Sequence, residues 1–153
     1  MTTELPSRVS GGCLCKGIRY TITFPKDHDF MRSASTCQCS QCRKQTGSLV
    51  FRVQKVPRSS VSFTPQQGAT TTTLKIYRAA PGNARGFCGA CGGLVYWAAD
   101  GEDEMSVCVG TLDDDVLQRY GKVLTYAERH LFCVNEIPGV TDHLPGTKHE
   151  QGD

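Results

Sequence analysis

An all-β domain is what this sequence predicts, on three observations: short segments of alternating apolar and polar residues, turn-forming clusters between them, and no long apolar stripe at helical spacing. The clearest strand is "IRYTITF" at 18–24, where Ile18, Tyr20, Ile22 and Phe24 share one face and Arg19, Thr21 and Thr23 the other. Further strands are expected at 48–56, 61–64, 72–79, 94–99, 105–112 and 126–135, all rich in β-branched and aromatic residues. "FTPQQG", "APGNARG" and "ADGED" read as turns between them. "LDDDVLQRYG" accommodates a short helix at most, with Asp113 as N-cap and Gly121 as stop. At 153 residues the chain suits one domain, folded over 10–144, with a flexible N-terminus at 1–9 and a flexible polar tail at 145–153.

The net charge of +2 comes without a basic stripe or charge block, so a nucleic acid partner is not implied. No apolar run approaches the roughly 18 residues of a membrane span, and "MTTELPSRVS" lacks the apolar segment of a secretion signal. The expectation is a cytoplasmic protein with no membrane partner.

Nine cysteines are many for a reducing compartment, where clustered thiols more often hold metal or do chemistry than form disulfides. Their spacing carries more than their number. Cys13 and Cys15 form C-x-C, Cys37, Cys39 and Cys42 form C-x-C-x-x-C, Cys88 and Cys91 form C-x-x-C, and only Cys108 and Cys133 stand alone. Thiols this close in sequence converge readily on one ion. The first and last pairs sum to four thiolates, a closed zinc site, and the glycines around them (Gly11, Gly12, Gly89, Gly92, Gly93) supply the backbone freedom of tight turns.

The remaining cluster has three thiols, and its fourth ligand stays open among Cys108, Cys133, His130, a water and a substrate. Zinc with three thiolates carries a net charge of about −1 and is a poorer Lewis acid than zinc with three neutral histidines, so it suits a soft ligand such as a substrate thiol. Arg43 and Lys44, directly after Cys42, are placed to offset that charge or to hold a substrate carboxylate. Elsewhere, His28, His143 and His149 read as surface residues, Cys108 and Cys133 as small buried hydrophobes, and Tyr96 and Trp97 as core.

"GGCLCKGIRY", "CQCSQCRKQTGS", "FCGACGGLVYW" and "VGTLDDD", in this order, resemble the glutathione-dependent formaldehyde-activating enzyme family, which includes centromere-protein-V-like proteins; the likeness runs from about Ser10 to Leu144. It implies a zinc-bearing all-β domain of several small antiparallel sheets. Two zinc ions per chain follow from it: a structural one on Cys13, Cys15, Cys88 and Cys91, and a catalytic one with an open position on Cys37, Cys39 and Cys42. The implied activity is carbon–sulfur lyase chemistry, or the reverse addition, on a glutathione adduct of formaldehyde or another small electrophile. A larger substrate without glutathione and a non-catalytic protein-binding module are the alternatives. Two positions depart from the family pattern: Gln38 stands where many members have histidine, and Gly139 where a tryptophan commonly follows the proline.

Overall fold

The computed structural model describes residues 4–78 and 81–152. In chain order its strands are β1 (Arg8–Gly12), β2 (Arg19–Thr23), β3 (Ala34–Cys37), β4 (Phe51–Pro57), β5 (Val61–Thr64), β6 (Leu74–Tyr77), β7 (Asn83–Cys88), β8 (Leu94–Ala99), β9 (Glu104–Cys108), β10 (Arg129–Leu131) and β11 (Thr147–Lys148). Three α-helices interrupt them: α1 (Phe30–Ser33), α2 (Ser40–Thr46) and α3 (Asp114–Thr125). The domain is mostly β, as expected, but the strands gather into one three-stranded sheet, β1-β2-β5, and one eight-stranded sheet, β11-β10-β3-β4-β9-β8-β7-β6, rather than several small ones. All pairings are antiparallel except those of β10, which runs parallel to both β3 and β11. No helix among the described residues is long and apolar enough to cross a membrane.

Alternation in β2 does what the sequence asks: Tyr20 and Ile22 turn inward, both 1 % exposed, against Val56, Val95, Val107 and Leu124. Each such side chain contributes about 1.5–3 kcal/mol by leaving water. Tyr20 keeps its hydroxyl satisfied on Thr111 Oγ1 at 2.8 Å. Its ring lies so close to β1 that a Cβ at Gly11 would run into the hydroxyl, which explains the glycine there.

Several elements depart from the sequence reading. "APGNARG" is a turn only in part: Pro81 and Gly82 turn, with Gly82 at φ 89°, and from Asn83 onward it is β7, an inner strand between β6 and β8. α3 continues through Gly121 to Thr125, and Asp113, although at the N-cap position, makes no side-chain cap. Its carboxylate goes instead to Arg19, at 2.8 and 2.6 Å, and accepts a bond from Ser10 Oγ at 2.6 Å. The strand expected over 126–135 shrinks to β10, because Phe132 takes a left-handed conformation (φ 58°) that ends the ladder. The polar tail carries β11, and backbone bonds from His149 to His130 and from Phe132 to Gln151 tie it to the sheet. At the other end, Arg8 and Val9 belong to β1. Residues 1–3 and 153 of the expected flexible ends, and residue 79 of the expected strand 72–79, lie outside the described residues.

Candidate metal centres and their cavity

Cys13 and Cys15 sit in the turn of the β1–β2 hairpin, Cys88 at the end of β7 and Cys91 in the β7–β8 turn, so one cluster draws on both sheets. The four sulfurs lie within 4.8 Å of one another, with Cys13 to Cys15 at 3.7 Å and Cys15 to Cys88 at 3.6 Å. A tetrahedral ion with sulfur bonds of about 2.3 Å requires edges of about 3.8 Å. The geometry therefore fits zinc. The surrounding backbone is arranged for thiolates: Ile18 N–H donates to Cys13 Sγ at 3.2 Å, and Ala90 and Cys91 N–H both donate to Cys88 Sγ at 3.4 Å. Gly92, at φ 77°, closes this turn in a conformation that side chains resist. Burial alone would push the Cys88 thiol up, but hydrogen bonds from Thr73 Oγ1 and the backbone N–H groups of Cys91 and Ala90 outweigh it and bring the thiol down to about 6. Cys13 lacks that many donors, and burial pushes it up to about 12.

The second cluster comes from a single turn. Cys37 ends β3, Cys39 is the N-cap of α2 and accepts the Cys42 N–H on its own sulfur at 3.3 Å, and Cys42 lies buried inside α2. Their three sulfurs also lie within 4.8 Å of one another, and among the described residues no further cysteine, histidine or carboxylate joins either group. Of the three candidates for a fourth ligand, His130 uses both ring nitrogens elsewhere, sharing a 2.7 Å bond with Thr36 Oγ1 and donating from Nε2 to the Pro145 carbonyl at 2.9 Å. Cys133 donates to the His130 carbonyl. Cys108 packs on Cys42 across β9 with Phe51 and Val53, and burial pushes its thiol up, as expected of a small hydrophobe.

The cluster opens into a cavity of about 680 Å³ whose apolar wall includes Phe51, Val53, Trp97 and Phe132. Trp97, read as core, is a wall residue. Lys55, Arg85 and Arg129 supply positive charge to the lining, Glu102 and Glu104 negative charge. Arg43 and Lys44 do not line the cavity: Arg43 is half-buried in α2 and Lys44 is exposed. Gln38 and Gly139 do not line it either; Gln38 is 1 % exposed, and Gly139 sits in an exposed turn at φ 74°. Arg85 was hidden from sequence reading inside a presumed turn. It is 3 % exposed, with its guanidinium donating to Asn83 Oδ1 and to Gln41 Oε1, both at 2.9 Å. Contact with the Cys37 thiol, aided by Cys39 and then Arg85, draws Cys42 down to about 6 against the effect of burial, while the same contact pushes Cys37 up.

Two sheets pinned by a four-sulfur cluster, beside a three-sulfur cluster facing a cavity, define a β-rich protein able to hold two metal ions. The chain belongs to the glutathione-dependent formaldehyde-activating enzyme family, whose sequence model matches residues 8–134. Its fold is similar to the crystal structure of a Rhodobacter sphaeroides protein determined as a Northeast Structural Genomics target, with a TM-score of 0.53 and 20% identity over 69% of this chain and 88% of that one. No curated protein sequence matches the chain significantly.

Proposed function

We propose that the protein is a carbon–sulfur lyase, or catalyst of the reverse addition, acting on a glutathione adduct of formaldehyde or another small electrophile. The observation that carries this reading is the contrast within the cysteine set: one cluster has four sulfurs, whereas the other has three and lines a cavity. At about 680 Å³ that cavity lies within the roughly 300–1,000 Å³ of small-molecule sites, which favours a small substrate over a macromolecular partner.

In this reading Cys37, Cys39 and Cys42 hold zinc, which supplies a soft Lewis acid that lowers the pKa of a thiol. Arg129 and Lys55 replace Arg43 and Lys44 as the groups that hold the tripeptide's carboxylates, and Glu102 or Glu104 receives its ammonium. Phe51, Val53 and Trp97 exclude water around the reacting sulfur. In the addition direction the sulfur–carbon bond forms as the carbonyl π bond breaks, and the thiol proton ends on the new hydroxyl. Lysis runs the same transfers backward.

The zinc-loaded protein should accelerate exchange between ¹³C-formaldehyde and its glutathione adduct by exchange NMR, and sulfur-edge and zinc-edge absorption should register a glutathione sulfur joining three protein sulfurs. An unchanged exchange rate with no glutathione sulfur bound, or four protein sulfurs on both ions beforehand, defeats the proposal.

A further inference from the structure

We infer that Arg85 is the counter-charge of the three-cysteine cluster and sets how tightly that cluster holds a metal ion, an inference that rests on reading the cluster as a metal site. A guanidinium is charged at every pH a protein survives, and burying it unpaired costs several kcal/mol. Arg85 is 3 % exposed, yet the ion pairs among the described residues do not include it. Its hydrogen bonds to Asn83 Oδ1 and Gln41 Oε1 go to neutral amides, which orient the guanidinium without balancing it.

What remains beside it is Cys42, which directly follows Gln41 in α2 and lines the same cavity as Arg85. Two positive charges on zinc and three thiolates leave a net charge of about −1, so one guanidinium makes the buried assembly neutral. The four-cysteine cluster is placed differently: it is nearer water, with Cys15 exposed, and Arg19, the cation beside Cys13, is already paired with Asp113. Gln41 precedes Cys42 in α2, so the same side chain that neutralises the cluster also ties its helix to β7.

Zinc release separates this from a merely structural role. Wild type and the variants Arg85→Met, Arg85→Lys and Arg85→Gln are loaded with zinc and titrated with a competing chelator, and the cysteines freed at each step are mapped by alkylation and mass spectrometry. Removing the charge should weaken zinc binding at Cys37, Cys39 and Cys42 by about 10- to 100-fold, the usual effect of losing a partner of a metal ligand. The four-cysteine cluster should keep its affinity, and Arg85→Lys should recover most of the loss that Arg85→Gln retains. Equal release from the Lys and Gln variants overturns the inference, even if Arg85→Met fails to fold, and so does parallel weakening at both clusters. A wild type that takes up one zinc, with Cys37, Cys39 and Cys42 alkylated throughout, overturns the metal reading as well. Two-site loading without carbon–sulfur activity bears on the proposed reaction alone.

Discussion

The four-cysteine cluster takes its sulfurs from two hairpins in different sheets, whereas the three-cysteine cluster takes all of its sulfurs from the one turn between β3 and α2. The first can form only when the sheets are docked, so binding a metal there is inseparable from folding. The second is local, and its shape is already fixed by the β3–α2 turn, the Cys39 cap and the ladder between β3 and β4. Thiol number follows the same division: the cluster that joins the two sheets has four sulfurs, and the one that faces a cavity has three.

The largest expected effect breaks the comparison at its structural end. Cys88→Ser removes a sulfur that is fully buried and joins β7 to the β1–β2 hairpin. Structural zinc contributes about 10–16 kcal/mol of apparent binding free energy, as much as the whole stability of a small domain. The variant should therefore lose its cooperative thermal transition by circular dichroism; a well-folded variant would remove the distinction between the clusters.

Cys39→Ser should behave in the opposite way. Serine is a good N-cap and its oxygen can accept the Cys42 N–H in place of sulfur, so α2 keeps its start. The expected outcome is a native circular dichroism spectrum, a midpoint within about 2–4 °C of wild type for a loss near 1 kcal/mol, one zinc in place of two, and no turnover. Unfolding like that of Cys88→Ser would make both clusters structural.

The smallest effect sharpens the comparison by asking what else holds the β1–β2 hairpin. Asp113 accepts from Arg19 and Ser10 on that hairpin, and the bond from Arg19 chiefly holds its carboxyl below the ordinary carboxylate range. A depressed folded-state pKa adds stability that is present above the ordinary carboxylate pKa and lost as pH falls through the folded value. Because the pair is partly exposed and screened, Asp113→Asn should cost about 1 kcal/mol near pH 7 by denaturant titration. The gap to wild type should narrow in acid; a constant gap would assign the loss to packing.

Sequence made the cysteine clusters more legible than the scaffold around them. Thiol spacing marks ligands wherever the chain later runs, and all seven clustered cysteines meet as two groups. β2 was legible because one face is buried and the other is not, but β7 buries Ala84, Arg85 and Gly86 in succession and shows no alternation. Its Gly86 lies under the Tyr96 ring where a Cβ would clash, so a residue that reads as a turn is there for packing. α2 escaped notice because seven residues cannot display a helical stripe and its cap is a cysteine. The cavity's cations come from β4, β7 and β10, and only the assembled sheet shows that Lys55, Arg85 and Arg129 face one space.

The separation of Cys15 from Cys88 by 73 positions also gives the ligands an order of birth. At about 5–20 residues per second of synthesis, that interval amounts to about 4–15 s. During it the nascent chain owns Cys13, Cys15, Cys37, Cys39 and Cys42 but neither Cys88 nor Cys91. An ion delivered then meets five thiols whose best four-sulfur grouping is not one the finished protein uses. Correct loading of the four-cysteine cluster would thus be a matter of timing, belonging after β7 has been made and docked.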